Sequence, residues 1–198
     1  MTRILAFSDL HLSRSHADAL VAESAAADLV VGAGDYCNMR AGLGEAMALL
    51  DGITAPLVMV PGNAESAAEL AAVAPGNAVV LHGEAVDIAG LTLFGLGYGV
   101  PLTPFGAWSC DLTEDQAAEL LDPMNAVDIL VSHSPPKGVA DVTSAGQSVG
   151  SVAVHDAVER AQPRLVFCGH IHDSWGSSGH IGRSVVHNLG PTPNWFEL

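Results

Sequence analysis

Basic side chains are scarce in this chain. Seven Lys and Arg stand against 22 Asp and Glu in 198 residues, a formal net charge of −15, and Lys137 is the only lysine. Phosphate backbones are bound by clustered Lys and Arg, so no nucleic-acid duplex is expected as a partner of this surface. An anionic substrate has to be neutralised by something other than side-chain cations. Cysteine is sparse too: Cys37, Cys110 and Cys168 show no paired spacing and leave an odd one over, which points to a reducing compartment. Cys168 sits in an apolar run and reads as core, whereas Cys37, near a candidate site, could be exposed. No apolar run reaches membrane-spanning length, and the start, MTRILAFSDLHL, lacks the apolar core and small-residue cleavage site of a secretion signal. The expectation is a cytoplasmic protein without membrane association. Internal repeats, linkers and low-complexity tracts are absent as well, so residues 1–198 read as a single domain whose 49% hydrophobic content can fill a substantial core.

Short apolar runs recur at strand length: RILAFS, DLVVGAG, APLVMVPG, DILVSH and RLVFCGH. They are unbroken rather than alternating, the pattern of strands buried on both faces. Between them lie Ala-rich stretches suited to helices, namely ADALVAESAAA, GLGEAMALLDG, ESAAELAAV, TEDQAAELL and VAVHDAVERA. This alternation predicts an α/β fold with a largely parallel sheet under helices. The rhythm changes over residues 77–97, NAVVLHGEAVDIAGLTLFGLG, where three short runs separated by Gly-containing turns predict antiparallel strands. RSVVHNLGP reads as a further strand. Two kinds of sheet suggest a layered sandwich. Residues 97–111 and 133–151 fit no regular element, and long irregular loops in compact domains are often functional.

The strand ends carry the chemistry. Asp9 and His11 follow the first run, Asp35 the second, Asn63 the third, His133 the fourth, and His170 and His172 the fifth. Open α/β sheets place ligand sites at the carboxyl ends of their strands, so these seven residues are expected to converge. Imidazole, carboxylate and amide oxygen without thiolate suit Mn, Fe, Zn, Co or Ni. Seven donors exceed what one ion with an open position uses. They suit two ions about 3.5–4 Å apart with a bridging carboxylate and a shared water of lowered pKa.

Each element alone has an ordinary explanation: GHIH as a solvated turn, SDLH as a helix cap, GD and GN as turn dipeptides. In order and at successive strand ends, Asp9-x-His11, Gly34-Asp35, Gly62-Asn63, His133 and Gly169-His170-x-His172 resemble the motif series of the calcineurin-like metallophosphoesterases. The resemblance spans Asp9 to His172. It implies a four-layer α/β/β/α sandwich of two mixed β-sheets flanked by helices. It also implies two divalent metal ions, one on Asp9, His11 and His172, the other on Asn63, His133 and His170, with Asp35 bridging and Asn63 offering its side-chain oxygen. Asp35, Asn63 and His170 are the positions on which catalysis is expected to depend, and Asn38 stands where the family often has a polar residue. On an extended segment, residues two apart point the same way, so His170 and His172 are expected to serve one ion each. The other histidines read more plainly: His16 and His155 within helices, His82 beside a hairpin turn, and His180 and His187 as candidates for the pocket wall.

One position departs from the family. Many members read Gly-Asn-His-Asp or Gly-Asn-His-Glu where this chain has Gly62-Asn63-Ala64-Glu65, and the missing histidine is the one that protonates the leaving group or steadies the transition state. General acid catalysis is worth about 10²–10⁴-fold, against at least about 10⁶-fold for an enzyme as a whole. The expectation is therefore a binuclear metal-dependent phosphodiesterase acting on a small phosphoester through a metal-bridging hydroxide, with His187, Glu65 or water as possible substitutes for the acid. The low cation count favours a monoanionic diester over a dianionic monoester. A non-catalytic scaffold of the same fold and a phosphomonoesterase are the alternatives. Tyr98, Phe105 and Trp108 either stack on a substrate ring or close the hydrophobic edge of the fold.

Overall fold

The computed structural model covers residues 1–198. In chain order, the first half runs β1 (Arg3–Phe7), α1 (Arg14–Ser24), β2 (Leu29–Gly32), α2 (Leu43–Leu50), β3 (Leu57–Met59), α3 (Ala67–Val73) and β4 (Ala78–Val80). The second half runs β5 (Glu84–Ile88), β6 (Leu91–Leu96), α4 (Glu114–Leu121), β7 (Ile129–Ser132), α5 (Val152–Ala161), β8 (Leu165–Cys168), β9 (Ser178–Ile181), β10 (Ser184–Asn188) and β11 (Asn194–Glu197).

Two sheets form. One has the order β11-β1-β2-β3-β4, the other β5-β6-β7-β8-β10-β9. Both are parallel in the middle and carry antiparallel strands at their margins: β11 against β1, β5 against β6, and β9 against β10. Ile4, Val31 and Val58 of the first sheet and Leu93, Val131 and Phe167 of the second belong to one buried cluster between the sheets. On the outer side of the first sheet, Leu5, Phe7 and Met59 pack against Leu20, Leu50 and Leu70 of α1, α2 and α3. Phe94, Leu130 and Val166 of the second sheet pack against Ala117, Val154 and Val158 of α4 and α5. The layers are α/β/β/α, as the motif series implies. The apolar runs are unbroken because β1, β2, β3, β7 and β8 feed two of these clusters at once.

Residues 77–97 correct the expectation. Only β5 and β6 form an antiparallel hairpin, turning through Ala89 and Gly90, both at positive φ (51° and 78°), the two-residue turn whose twist matches paired strands. β4 instead pairs parallel to β3 in the other sheet. Leu81, buried between the sheets, marks the crossing from one to the other. The short edge strands β9 and β11, only partly buried, are not anticipated by the apolar pattern.

A candidate metal centre at the strand ends

The ends of β1, β2 and β3 meet those of β7 and β8 along one margin of the sandwich, bringing the seven expected residues together. Asp9, Asp35, Asn63 and His133 are buried, His11 and His170 half-buried, and His172 more exposed. The Asp35 carboxylate spans the group: one oxygen lies 3.4 Å from His133 Nε2 and the other 3.6 Å from His11 Nε2. Asn63 Oδ1 lies 3.2 Å from His133 Nε2. His11 Nε2 lies 3.3 Å from His172 Nε2, and Asp9 Oδ1 lies 3.8 Å from the latter. Asp9, His11 and His172 offer one donor atom each within 4.8 Å of one another, as do Asp9, Asp35 and His133.

Two of the imidazoles, His11 and His133, are held so that their Nε2 atoms face inward. His133 Nδ1 donates to the Ala33 carbonyl at 2.8 Å and His11 Nδ1 to the Cys37 carbonyl at 3.1 Å. A carbonyl only accepts, so in each neutral ring Nε2 presents its lone pair to the cluster. Asp9 is fixed by the hydroxyl of Ser8 (2.6 Å), the indole N–H of Trp175 (2.9 Å) and the His170 backbone N–H (3.1 Å). Burial pushes the His133 pKa down, but Asp35, Asp9 and the Ala33 carbonyl outweigh it and hold the ring above its ordinary value. Burial and the charge of His133 push His170 down to about 3. Two buried carboxylates among inward-facing lone pairs form a region that asks for cations, because uncompensated buried charge is costly. The donor set fits hard or borderline divalent metals.

The backbone is strained at the same place. Asp9, His11, Asp35 and His170 all have φ between 45° and 67°, a left-handed region that costs side-chain-bearing residues energy and concentrates at functional sites. Two glycines permit the approach of the loops. A Cβ on Gly62 would strike Asp35, and one on Gly169 would strike Asp9 and Ser8.

The strand-alternation account of His170 and His172 does not hold. β8 ends at Cys168, His170 is left-handed, and residues 172–174 form a 3-10 turn. The reversal after Gly169 sends the two rings apart: His170 packs against His133 (centroids 4.9 Å), His172 against His11 (5.2 Å) and Trp175 (4.3 Å).

Other residues are placed differently from expectation. Cys37 is fully buried rather than exposed. Glu65 does not face the cavity: it is fully buried and its carboxylate takes the backbone N–H groups of Gly62 (2.6 Å), Asp35 (2.8 Å) and Tyr36 (3.2 Å). It clamps the Asp35 loop, while burial and the neighbouring Asp35 push its pKa up to about 7. His187 packs on Phe196 and Phe167, and His180 lies exposed on β9. Tyr98 packs on His82 with the rings tilted by 42°, and its hydroxyl accepts from Ala67 N at the start of α3. Asn38 donates to the His11 carbonyl at 3.3 Å. Phe105 and Trp108, by contrast, do line the cavity over the cluster, together with His11, Asp35, Asn63, His170 and His172. Ser109 and Trp175 were not singled out from the sequence. Their only signals were position, in a long loop and just past the histidine pair.

Nitrogen and oxygen donors gathered at the strand ends of an α/β/β/α sandwich define a class of candidate divalent-metal sites. The particular family follows from comparison: residues 2–174 match the model of the calcineurin-like phosphoesterases, and the chain belongs to that family. The human metallophosphoesterase domain-containing protein 1 is 38% identical over 107 residues, which are 50% of this chain and 31% of that protein. The chain thus matches less than a third of the length of that relative. Among solved structures, a protein of Thermus thermophilus superposes with a TM-score of 0.71 at 16% identity, covering 99% of this chain and 98% of the other. A dimetal phosphatase from Danio rerio gives 0.65 at 13% identity (96% and 88% covered), and an archaeal phosphodiesterase 0.55 at 12% (95% and 83%). At these identities the structural likeness is one of fold. No helix is long and apolar enough to cross a membrane.

Proposed function

We propose that this chain is a phosphodiesterase that works with two divalent cations. Asp9, His11 and His172 hold one, Asn63, His133 and His170 the other, and Asp35 lies between them. The observation that carries the reading is the Asp35 carboxylate, whose two oxygens face His133 and His11 separately at 3.4 and 3.6 Å. Bound there, the cations would supply Lewis acidity at phosphorus and lower the pKa of a nucleophilic water. The protein's own part is positional. Backbone carbonyls fix the tautomers of His11 and His133, the Glu65 clamp fixes Asp35, and Phe105 and Trp108 narrow the approach to the cluster. The cavity lining contributes no Lys or Arg, which supports a monoanionic diester over a dianionic monoester.

No side chain of the cavity wall is free to replace the missing acid. Ala64 is 1% exposed and its N–H is spent on Asp35 Oδ1 at 2.8 Å. Every titratable side chain in the cavity wall is already a proposed ligand. The test is the manganese-dependent rate on diesters of graded leaving-group pKa. A steep fall as the leaving group becomes more basic is expected, and a shallow dependence would mean that a proton donor exists. Asp35→Asn and His170→Ala should each lower turnover about 100-fold or more; full activity in either defeats the assignment. Ala64 also favours a second reading, a non-catalytic scaffold. Absence of turnover on every ester despite two bound metals would select it.

A further inference from the structure

A larger cavity, about 520 Å³, adjoins the one over the cluster. One wall is the segment 100–105, the other is residues 137–150 with the start of α5, and His170 and Ile171 form its inner end. Phe105 and His170 line both cavities, so a group seated at the cluster has a continuous surface leading outward. Phe105 is braced by Trp108, with ring centroids 5.6 Å apart and planes 12° from parallel. Leu102, Phe105 and Val152 are 62%, 50% and 50% exposed around this groove, a clustering of bare apolar side chains that marks binding surfaces.

Its charges are balanced and occupied. Lys137 donates to the Ser148 carbonyl at 2.6 Å. The Glu114 carboxylate accepts from Ser151 Oγ (2.7 Å), Val152 N (3.0 Å) and Ala153 N (2.8 Å), capping α5. One cation and one anion, both partnered, give no net attraction for a further anionic group. The volume lies within the range of small-ligand pockets and exceeds what a phosphate fills.

We propose that this groove receives one ester substituent of the substrate, and that the substituent is an uncharged, mainly apolar organic group such as an aryl or branched alkyl. The inference rests on the phosphodiesterase reading and names its substrate class. The test offers the manganese-loaded protein diphenylphosphinate and dimethylphosphinate, monoanions without a hydrolysable ester, and follows binding by tryptophan fluorescence. The parent should prefer the diphenyl compound about tenfold, the scale of discrimination an apolar pocket provides. Val152→Trp, which fills the groove, and Leu102→Asp, which charges its wall, should each bring the preference toward parity; both side chains are exposed, so folding is not at stake. Equal affinities in the parent, or a preference kept by both variants, overturn the groove. Manganese-dependent hydrolysis of phenyl p-nitrophenyl phosphate by the parent separates the two failures. If it proceeds, only the groove is lost; if this and every other diester go unhydrolysed by the metal-loaded protein, the phosphodiesterase reading and the groove fall together.

Discussion

Asn63 has an amide that could point either end at the cluster, and a neighbour decides which. Its Nδ2 donates to Ser109 Oγ at 3.0 Å, and that hydroxyl donates to Asp111 Oδ1 at 2.7 Å, so the oxygen is left facing His133. Ser109→Ala should weaken manganese binding about tenfold while leaving the fold intact, because partners that orient a ligand are worth about 10–100-fold; metal content after equilibrium dialysis checks it. Cys37 shows the opposite case, a residue whose neighbours silence it. Its thiol donates to the Ala64 carbonyl at 3.1 Å, and burial with the nearby Glu65 pushes its pKa up to about 12. Iodoacetamide should therefore leave Cys37 unmodified in the native protein and label it only on unfolding, as peptide mass mapping would reveal. The sequence marks both Asn63 and Cys37 as near a site. It carries no sign of the hydroxyl that turns the one or the carboxylate that buries the other, since those partners lie 46 and 28 positions away.

Helix α3 follows Asn63 by only a few residues, and its start is well specified. Ser66 accepts from Glu69 N, and Glu69 accepts from Ser66 N in return, a reciprocal capping box. Ser66→Ala should cost about 1 kcal/mol in urea unfolding. Glu69 also meets Arg40 at 2.7 Å. That hydrogen bond, with those of Ser66, lowers its pKa to about 2 from 4.5. A carboxylate lowered on folding contributes stability that is present above the unfolded pKa and fades as pH falls from 4.5 toward 2. Glu69 is 42% exposed, so solvent screening keeps the effect small, below about 1 kcal/mol. Urea midpoints of the parent and Glu69→Gln should differ at about pH 6 and draw together at about pH 3; a constant gap would assign the effect to something other than charge. The Ser-x-x-Glu pattern of the cap is local and visible in one dimension. By contrast β9 and β11 are short, half-polar edge strands, and only a neighbouring strand makes them strands at all.

Across the whole molecule, four of the proposed ligands come from the first sheet and three from the second, so cations bound there tie the two sheets together. Ligands that bind only the folded chain stabilise it by mass action, by about 2.7 kcal/mol at a hundredfold excess over the dissociation constant. The melting temperature should climb with free manganese and drop on chelation, while Asp35→Asn flattens the response; a melting curve indifferent to metal would contradict the site. The sequence by itself determined the five buried strands and the donor at each carboxyl end, because burial on both faces demands unbroken apolar runs and a strand end is where the chain can turn polar. It likewise carried the two-sheet architecture through the motif series. Tertiary structure alone decided which sheet each short run joins, since β4 and β5 are separated by three residues yet lie in different sheets. It alone decided that His170 and His172 diverge through a left-handed turn, where the His170 N–H donates to the Asp9 carboxylate at 3.1 Å, a partner from the far end of the chain. And it alone shut Glu65 and His187 out of the cavity, one drawn inward by unpaired backbone N–H groups and the other by aromatic packing, forces that act between segments with no mark in the spacing of either.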